Sequence, residues 1–209
     1  MDLSAYQNIV VFGGSFDPPH VGHVKLPQLV REKLVADLVL YIPAGRAPHK
    51  LNQVQTSAEH RLSMLELALA DQPHTMISDI EIDRAKSGQP SYTVDTLEEI
   101  HKHLAPGAQL RLLIGADQLL IFESWHRPER IIELAEPVVM VRPPETKHSL
   151  IATMPEARAD IWATWLLELP QINVSSSEIR SAIESGADQF DEVPPAVMDY
   201  IKKHHLYGR

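Results

Sequence analysis

The sequence contains no cysteine. That absence removes disulfides, thiolate nucleophiles, iron–sulfur clusters and cysteine-type zinc sites from consideration. Long apolar runs are missing too: stretches such as Leu38–Ile42 and Leu110–Ile114 fall far short of the ~20 residues that span a bilayer. The N-terminus carries Asp2 and no basic, apolar leader, so the expected location is the cytoplasm. Basic charge is scarce: 19 Lys and Arg against 28 Asp and Glu leave a formal charge of −9. A surface built to bind nucleic acid is therefore not expected, and phosphate chemistry must use a local basic pocket inside an acidic envelope. No linker, internal repeat or low-complexity run interrupts the chain. What remains is 209 residues, 44% apolar and 22% charged. This is the composition of a globular protein and is read as a single domain over 1–209.

Short apolar runs alternate with helical patterns. Ile9–Phe12 reads as a buried strand ending in a tight loop at Gly13-Gly14, and Leu38–Ile42 as a second strand stopped by Pro43. Leu110–Ile114, closed by Gly115, and Val138–Val141 read as further strands. Met76–Ile82 alternates partly and is read as a strand, and Ile172–Val174 as a short final one. Between them, Leu26, Leu29, Val30 and Leu34 fall at helical spacing, as do Ala58, Leu62, Leu65 and Leu69, then Val94, Leu97, His101 and Leu104. Arg127–Ala135 is read as another helix, and Pro27 predicts a kink early in the first. Trp162 and Trp165 belong to no motif and are read as packing or surface residues. The alternation predicts an α/β fold: a Rossmann-like, doubly wound, mostly parallel sheet with helices on both faces. Such sheets bind ligands beyond the carboxyl ends of their strands, where the strand order switches.

The densest signal follows the first strand: Gly13-Gly14-Ser15-Phe16-Asp17-Pro18-Pro19-His20-Val21-Gly22-His23. It is neither a Walker P-loop nor a Gly-x-Gly-x-x-Gly fingerprint. Gly13 and Gly14 allow close approach of a ligand to backbone amides, and Pro18 and Pro19 stiffen the turn. A helix beginning near His20 or Val21 directs its first amides and its dipole at the loop, ready for an anion. His20 and His23, three apart, project from one side of the first turn, with Gly22 leaving space for a phosphate chain. A zinc triad of Asp17, His20 and His23 fits less well, because helical zinc pairs usually sit four apart with a dedicated carboxylate. The run resembles the signature G-[ST]-F-D-P-x-H-x-G-H of the nucleotidyltransferase superfamily related in fold to class I aminoacyl-tRNA synthetases.

The resemblance extends along the chain to the bacterial nicotinate-nucleotide adenylyltransferases. Ile42–Lys50 is similar to that family's I-P-x-x-x-P-P-H-K, with Ala47 replacing the first proline of the pair, and delivers Arg46, His49 and Lys50 to the strand ends. Ser91–Leu97 is similar to S-Y-T-x-D-T-L. Its hydroxyl residues read first as a helix N-cap. Ile114-Gly115-Ala116-Asp117, with Trp125-His126 beyond it, matches I-G-x-D-x-L…W-x. Asp117 there suits ribose hydroxyls or a helix cap, and Trp125, in a polar setting, suits stacking on a flat ring. Val174–Arg180 is similar to I-S-S-T-x-I-R, with Ser177 replacing Thr and Ser175 with Glu178 fitting a capping box.

The resemblance implies that a mononucleotide phosphate attacks the α-phosphorus of ATP, giving a dinucleotide and pyrophosphate. It implies ATP contacts at Gly13, Gly14, Ser15, Phe16, His20, His23, Gly115, Asp117, Ser176, Ser177 and Arg180. Mononucleotide contacts are implied at Ser15, Arg46, His49, Lys50, Tyr92, Thr93 and Trp125, with His20, His23, Lys50 and Arg180 as the catalytic group. Mg²⁺ is expected mainly on the ATP phosphates, without a protein ligand cluster; Asp17 is a candidate for touching it through water. Oligomeric state is left open, a homo-oligomer included. The rival readings are a sister transferase acting on phosphopantetheine or making a CDP-alcohol, a non-catalytic nucleotide sensor, and a metal-binding protein using some of the 11 histidines, among them His204-His205.

Overall fold

A computed structural model describes residues 1–45, 55–141, 145–153 and 156–208. The elements in chain order are β1 (Asn8–Gly14), α1 (Val21–Lys33), β2 (Leu38–Pro43), α2 (Ala58–Leu69), β3 (Thr75–Ile77), α3 (Ile80–Lys86), α4 (Thr93–His101) and β4 (Gln109–Gly115). They continue with α5 (Ala116–Leu120), a 3-10 turn at Phe122–Ser124, α6 (Pro128–Leu134), β5 (Glu136–Val141), α7 (Lys147–Ile151), α8 (Glu156–Trp165), β6 (Leu166–Glu168), α9 (Ser176–Glu184) and α10 (Pro195–Lys203). Among the described residues the strands form one six-stranded sheet in the order β3-β2-β1-β4-β5-β6. Every neighbouring pair is parallel.

The run of apolar residues in β1 is explained by its place. Val11 pairs with Leu40 on one side and Leu112 on the other, so both edges of β1 are paired, and a separate core covers each face. Ile9 and Val11 point into a core with Leu38, Leu40, Leu110 and Leu112, roofed by Val94, Leu97 and Ile100 of α4 and by Trp162 and Trp165. The two tryptophans, at 2% and 8% exposed, are thus packing residues. Val10 and Phe12 point the other way, to a second core with Val39 and Tyr41, closed by residues of α1, α2, α9 and α10. Among the described residues no helix is long and apolar enough to cross a membrane.

Two strand expectations are corrected. Of the Met76–Ile82 segment only Met76 and Ile77 lie in a strand, Thr75–Ile77; Ile80 begins α3, whose acidic Glu81 and Asp83 sit in the first turn and basic Arg84 and Lys86 in the last. That charge order suits the helix dipole. The last strand is Leu166–Glu168, paired to β5, and not Ile172–Val174. Ile172 and Val174 do pack on the second core. The Val174 amide, however, bonds back to the Ile172 carbonyl at 3.1 Å, a turn that offers no ladder edge.

Candidate active site

The strand order reverses between β1 and β4, whose carboxyl ends are Gly13-Gly14 and Gly115. A cavity of about 580 Å³ opens there. This is a volume typical of small-ligand sites, at the place where open parallel sheets bind ligands. It brings together Gly13, Gly14 and Ser15 with Tyr92 and Thr93 of the α4 entry, Gly115 and Asp117 after β4, and Trp125. His20, His23, Ser176, Ser177 and Arg180 do not line it; they gather beside it around the loop that joins β1 to α1.

That loop is built on specific steric needs. A Cβ at Gly14 would lie 2.9 Å from the Phe16 ring, whereas one at Gly13 would meet only the Ile42 carbonyl at 3.9 Å. Gly14 thus makes room for the protein itself, and Gly13 leaves open space at the cavity. Phe16 sits in the left-handed region at φ 50°, with its ring edge-on to Phe12 and His23. At 1% exposed its side chain is core, which leaves its backbone to meet a ligand. The room at Gly22 is likewise filled from within: a Cβ there would lie 3.1 Å from the His20 imidazole.

His20 is the N-cap of α1 and His23 its third residue. Their rings stack at 3.7 Å between centroids. His20 is 7% exposed and His23 is the more open of the two. His23 Nδ1 accepts the His20 backbone N–H at 3.3 Å, which places the proton of the neutral ring on Nε2. Pro27 now has a purpose. It lacks the N–H that would bond the His23 carbonyl one turn back, and that carbonyl accepts the Tyr41 hydroxyl at 3.1 Å. The first turn of α1 is thereby pinned to β2.

Asp17 is 5% exposed, and both its carboxylate oxygens are engaged: Oδ1 accepts the Tyr207 hydroxyl at 2.6 Å and Oδ2 the Thr56 amide at 3.2 Å. The carboxylate thus anchors the loop from within. Arg61, 2% exposed, donates to the Ser15 carbonyl at 2.9 Å and the Thr56 carbonyl at 3.1 Å. Burial draws its pKa down, and the Asp17 charge opposes that. From the far end of the chain, Ser176 donates to the Pro18 carbonyl at 2.9 Å and Arg180 to the Asp17 carbonyl at 2.6 Å. The Arg180 guanidinium also reaches the Ser177 hydroxyl at 3.3 Å. Ser175 caps α9 by accepting the Glu178 amide at 3.2 Å, as expected, although its own hydroxyl donates to the Glu178 carboxylate at 2.9 Å. A helix start and an arginine thus meet the histidine loop, an arrangement of donors suited to phosphate.

At the other end of the cavity Tyr92 is the N-cap of α4, and its side chain makes no capping bond. The hydroxyl cap expected from Ser91–Thr93 is not formed; Ser91 donates instead to the Glu81 carbonyl at 3.4 Å. The first amides of α4 therefore meet the cavity wall without a side-chain cap. Trp125 is half-buried, 5.2 Å from the Phe122 ring, and His126 tilts against Tyr92 at 4.5 Å. Asp117 is exposed in the first turn of α5, so it is not the cap there; Gly115 is, and a Cβ at Gly115 would run into the Asp117 carboxylate. Arg46, His49 and Lys50 lie outside the described residues.

Several site residues were not singled out from the sequence. Tyr41, Arg61 and Tyr207 brace the loop. Glu81 and Thr96 line the cavity, with the Thr96 hydroxyl donating to Glu81 at 2.9 Å and accepting from Arg84 at 3.0 Å. Pro27 was the available signal for Tyr41, since a proline within a helix frees a carbonyl. Burial raises the Glu81 carboxyl pKa above its ordinary 4.5, against the opposing bonds from Thr96 and the Gly45 amide. The folded protein then keeps that proton to higher pH than the unfolded chain does. Its contribution to stability is present below pH 4.5 and is lost as pH rises toward the raised folded value. Glu81→Gln should accordingly show a shallower fall in Tm above pH 4.5 than the parent. Parallel Tm-against-pH curves for the two proteins would refute this.

Among the described residues no group of three or more His, Asp or Glu converges in a way that could hold a metal ion. Residues 11–182 match the cytidylyltransferase-like family model. A protein of Thermomicrobium roseum named "Probable nicotinate-nucleotide adenylyltransferase" is 38% identical over 199 residues, covering 94% of this chain and 90% of that protein. One of the same name from Laribacter hongkongensis is 38% identical over 214 residues, covering 95% and 94%. The fold is that of the Plasmodium falciparum nicotinic acid mononucleotide adenylyltransferase complexed with NaAD, with a TM-score of 0.73 at 20% identity over 96% of this chain and 97% of that one. A histidine loop on a parallel sheet, uncapped amides across a switch-point cavity and relatedness over nearly the whole length agree: the chain belongs to the cytidylyltransferase-like nucleotidyltransferases and, within them, to the nicotinate-nucleotide adenylyltransferase family.

Proposed function

We propose that the protein transfers the adenylyl group of ATP to nicotinate mononucleotide, forming nicotinate adenine dinucleotide and pyrophosphate in NAD biosynthesis. The observation that carries this is the switch-point cavity with two chemically different ends: a stacked histidine pair and Arg180 beside one, and an uncapped helix start with Trp125 at the other.

A phosphate oxygen of the mononucleotide forms a bond to the α-phosphorus of ATP as the bond from that phosphorus to the β-phosphate bridging oxygen breaks. The leaving group is pyrophosphate. The nucleophile is already an anion, so no activated serine or lysine is required. The task is to hold two polyanions in line and to stabilise the charge that moves to the leaving group. Positioning supplies roughly 7–11 kcal/mol of such a barrier, and fixed donors much of the rest. His23 offers Nε2–H to the α-phosphoryl oxygens, with His20 stacked beneath it on the triphosphate. Arg180 and the start of α9 at Ser176 and Ser177 receive the pyrophosphate end. Gly13, Gly14 and Ser15 let the phosphates approach the backbone, and Asp117 at the end of β4 accepts from ribose hydroxyls. The uncapped amides near Tyr92 and Thr93 bind the nicotinate carboxylate, and Trp125 stacks on the pyridine ring. Lys50, with Arg46 and His49, serves the mononucleotide phosphate. His20, His23 and Arg180 beside the loop offer donors to phosphate oxygens, while the Asp17 carboxylate is engaged by Tyr207 and Thr56. Mg²⁺ therefore fits as a partner of ATP, held through phosphates and water and neutralising their charge. The cytoplasm is the proposed setting.

The test is a paired rate measurement of pyrophosphate release from ATP and Mg²⁺ with nicotinate or nicotinamide mononucleotide. Faster turnover of the acid is expected. Faster turnover of the amide would overturn the carboxylate assignment, and no release with either would overturn the reading. Trp125→Ala should raise KM for the mononucleotide about tenfold and leave that for ATP within twofold, since stacking is worth about 1–3 kcal/mol. Equal rises in both KM values would rule out stacking.

A further inference from the structure

The loop that meets ATP lies between two remote parts of the chain. Its Asp17 backbone carbonyl holds Arg180, and its Asp17 side chain holds Tyr207, 190 positions away. Tyr207 does not touch the cavity. Its hydroxyl donates to Asp17 Oδ1 at 2.6 Å, the shortest of the bonds that reach the Asp17 carboxylate. The backbone that brings it there is in the left-handed region twice, at His205 (φ 52°) and at Tyr207 itself (φ 62°). For residues with a Cβ this is a cost that persists only where surrounding contacts fix the conformation. The tail is held by the second core, on which Leu206 and Tyr207 pack, and by the Leu206 amide, which donates to the Ile201 carbonyl of α10 at 3.0 Å. Among the described residues, no hydrogen bond joins Tyr207 or Asp17 directly to Tyr92, Thr93 or Trp125 at the opposite end of the cavity.

We infer that Tyr207 is a positioning residue for the ATP subsite: by fixing the Asp17 carboxylate, its hydroxyl sets the Asp17 carbonyl and, through it, the Arg180 guanidinium that receives the pyrophosphate end of ATP. This rests on the adenylyl-transfer reading above. Burial first, and the hydrogen bond to Asp17 second, push the Tyr207 phenol pKa up, so it stays a donor at any working pH. The hydroxyl, rather than the ring, is the working part. Losing a bond to a charged partner at this distance moves an equilibrium by about tenfold.

The experiment measures steady-state kinetics with ATP and nicotinate mononucleotide for Tyr207→Phe, Asp17→Asn and their double variant. Tyr200→Phe is the control, since it removes a hydroxyl from the same C-terminal segment without touching the loop. Tyr207→Phe should raise KM for ATP about tenfold and change KM for the mononucleotide less than twofold. The double variant should be no worse than the poorer single one, because both changes act on the same bond, one removing its donor and the other the charge of its acceptor. Tyr200→Phe should leave both KM values within twofold. Should Tyr207→Phe fail to fold, Asp17→Asn carries the same KM split. Equal rises in the two KM values, additive effects in the double variant, or an ATP defect as large in Tyr200→Phe would each overturn the inference. A parent protein that releases no pyrophosphate breaks the functional reading itself. A parent that turns over beside a Tyr207→Phe variant with unchanged ATP KM breaks only the role of the tail.

Discussion

Removing the His23 imidazole is expected to cut kcat by roughly 10²–10³-fold in a protein that still folds. The size follows from its proposed task. A donor aimed at charge that develops during the reaction is worth far more in kcat than in ground-state binding. The fold should survive because the bonds that pin this turn are not made by the ring. The Tyr41 hydroxyl binds the His23 carbonyl, which alanine also has. The ring's own bond, Nδ1 to the His20 amide, is long at 3.3 Å, and alanine suits the first turn of a helix. Pyrophosphate release at saturating ATP gives kcat, and a thermal melt gives the control. Turnover near that of the parent in a folded His23→Ala protein would take this residue out of the chemistry and leave His20 and Arg180 to explain it.

Arg61→Met should cost about 3 kcal/mol of stability, because it removes two bonds from a charged donor to buried carbonyls and leaves the Asp17 carboxylate with less compensation. For a protein of this size that lowers Tm by roughly 6–12 °C. Arg61 reaches the Ser15 and Thr56 carbonyls with two different nitrogens. Lysine has the charge but not the fork, so Arg61→Lys should recover only part of the loss. A melting temperature for Arg61→Met within 2 °C of the parent, on the scale of roughly 2–4 °C per kcal/mol, would show that the loop is held by its other contacts.

The central strands were legible because buried parallel strands leave an unmistakable mark: Ile9–Phe12 and Leu38–Ile42 are apolar at every position, as a strand covered on both faces must be. The sheet edges were not. β3 and β6 are three residues each, too short for a periodicity to register, and the Ile172–Val174 pattern that looked like a strand serves packing alone. The loop after β1 was legible as a site because its residue types serve no ordinary turn. What its residues do for one another was harder to read. Gly14 and Gly22 looked like room for a ligand and prove to be room for Phe16 and His20. Asp17 was read as a candidate for touching Mg²⁺ through water, and its place as a buried anchor was not legible, since its partners Thr56, Arg61 and Tyr207 are dispersed in sequence and only the fold brings them together. The α4 start was read in the right place but with the wrong cap, because hydroxyl propensity does not distinguish a capped helix from one whose amides face a cavity.

The pairing of Ile9 with Leu110 has a consequence for how the molecule is made. Strand β1 leaves the ribosome before β4 and lacks one of its two neighbours until β4 has been synthesised. Until then a wholly apolar strand has an open edge, able to pair with a strand of another nascent chain. Closing so large a loop makes the β1–β4 ladder the expected slow step of folding. Yield on refolding should therefore fall with protein concentration far more steeply than the stability of the finished fold would suggest.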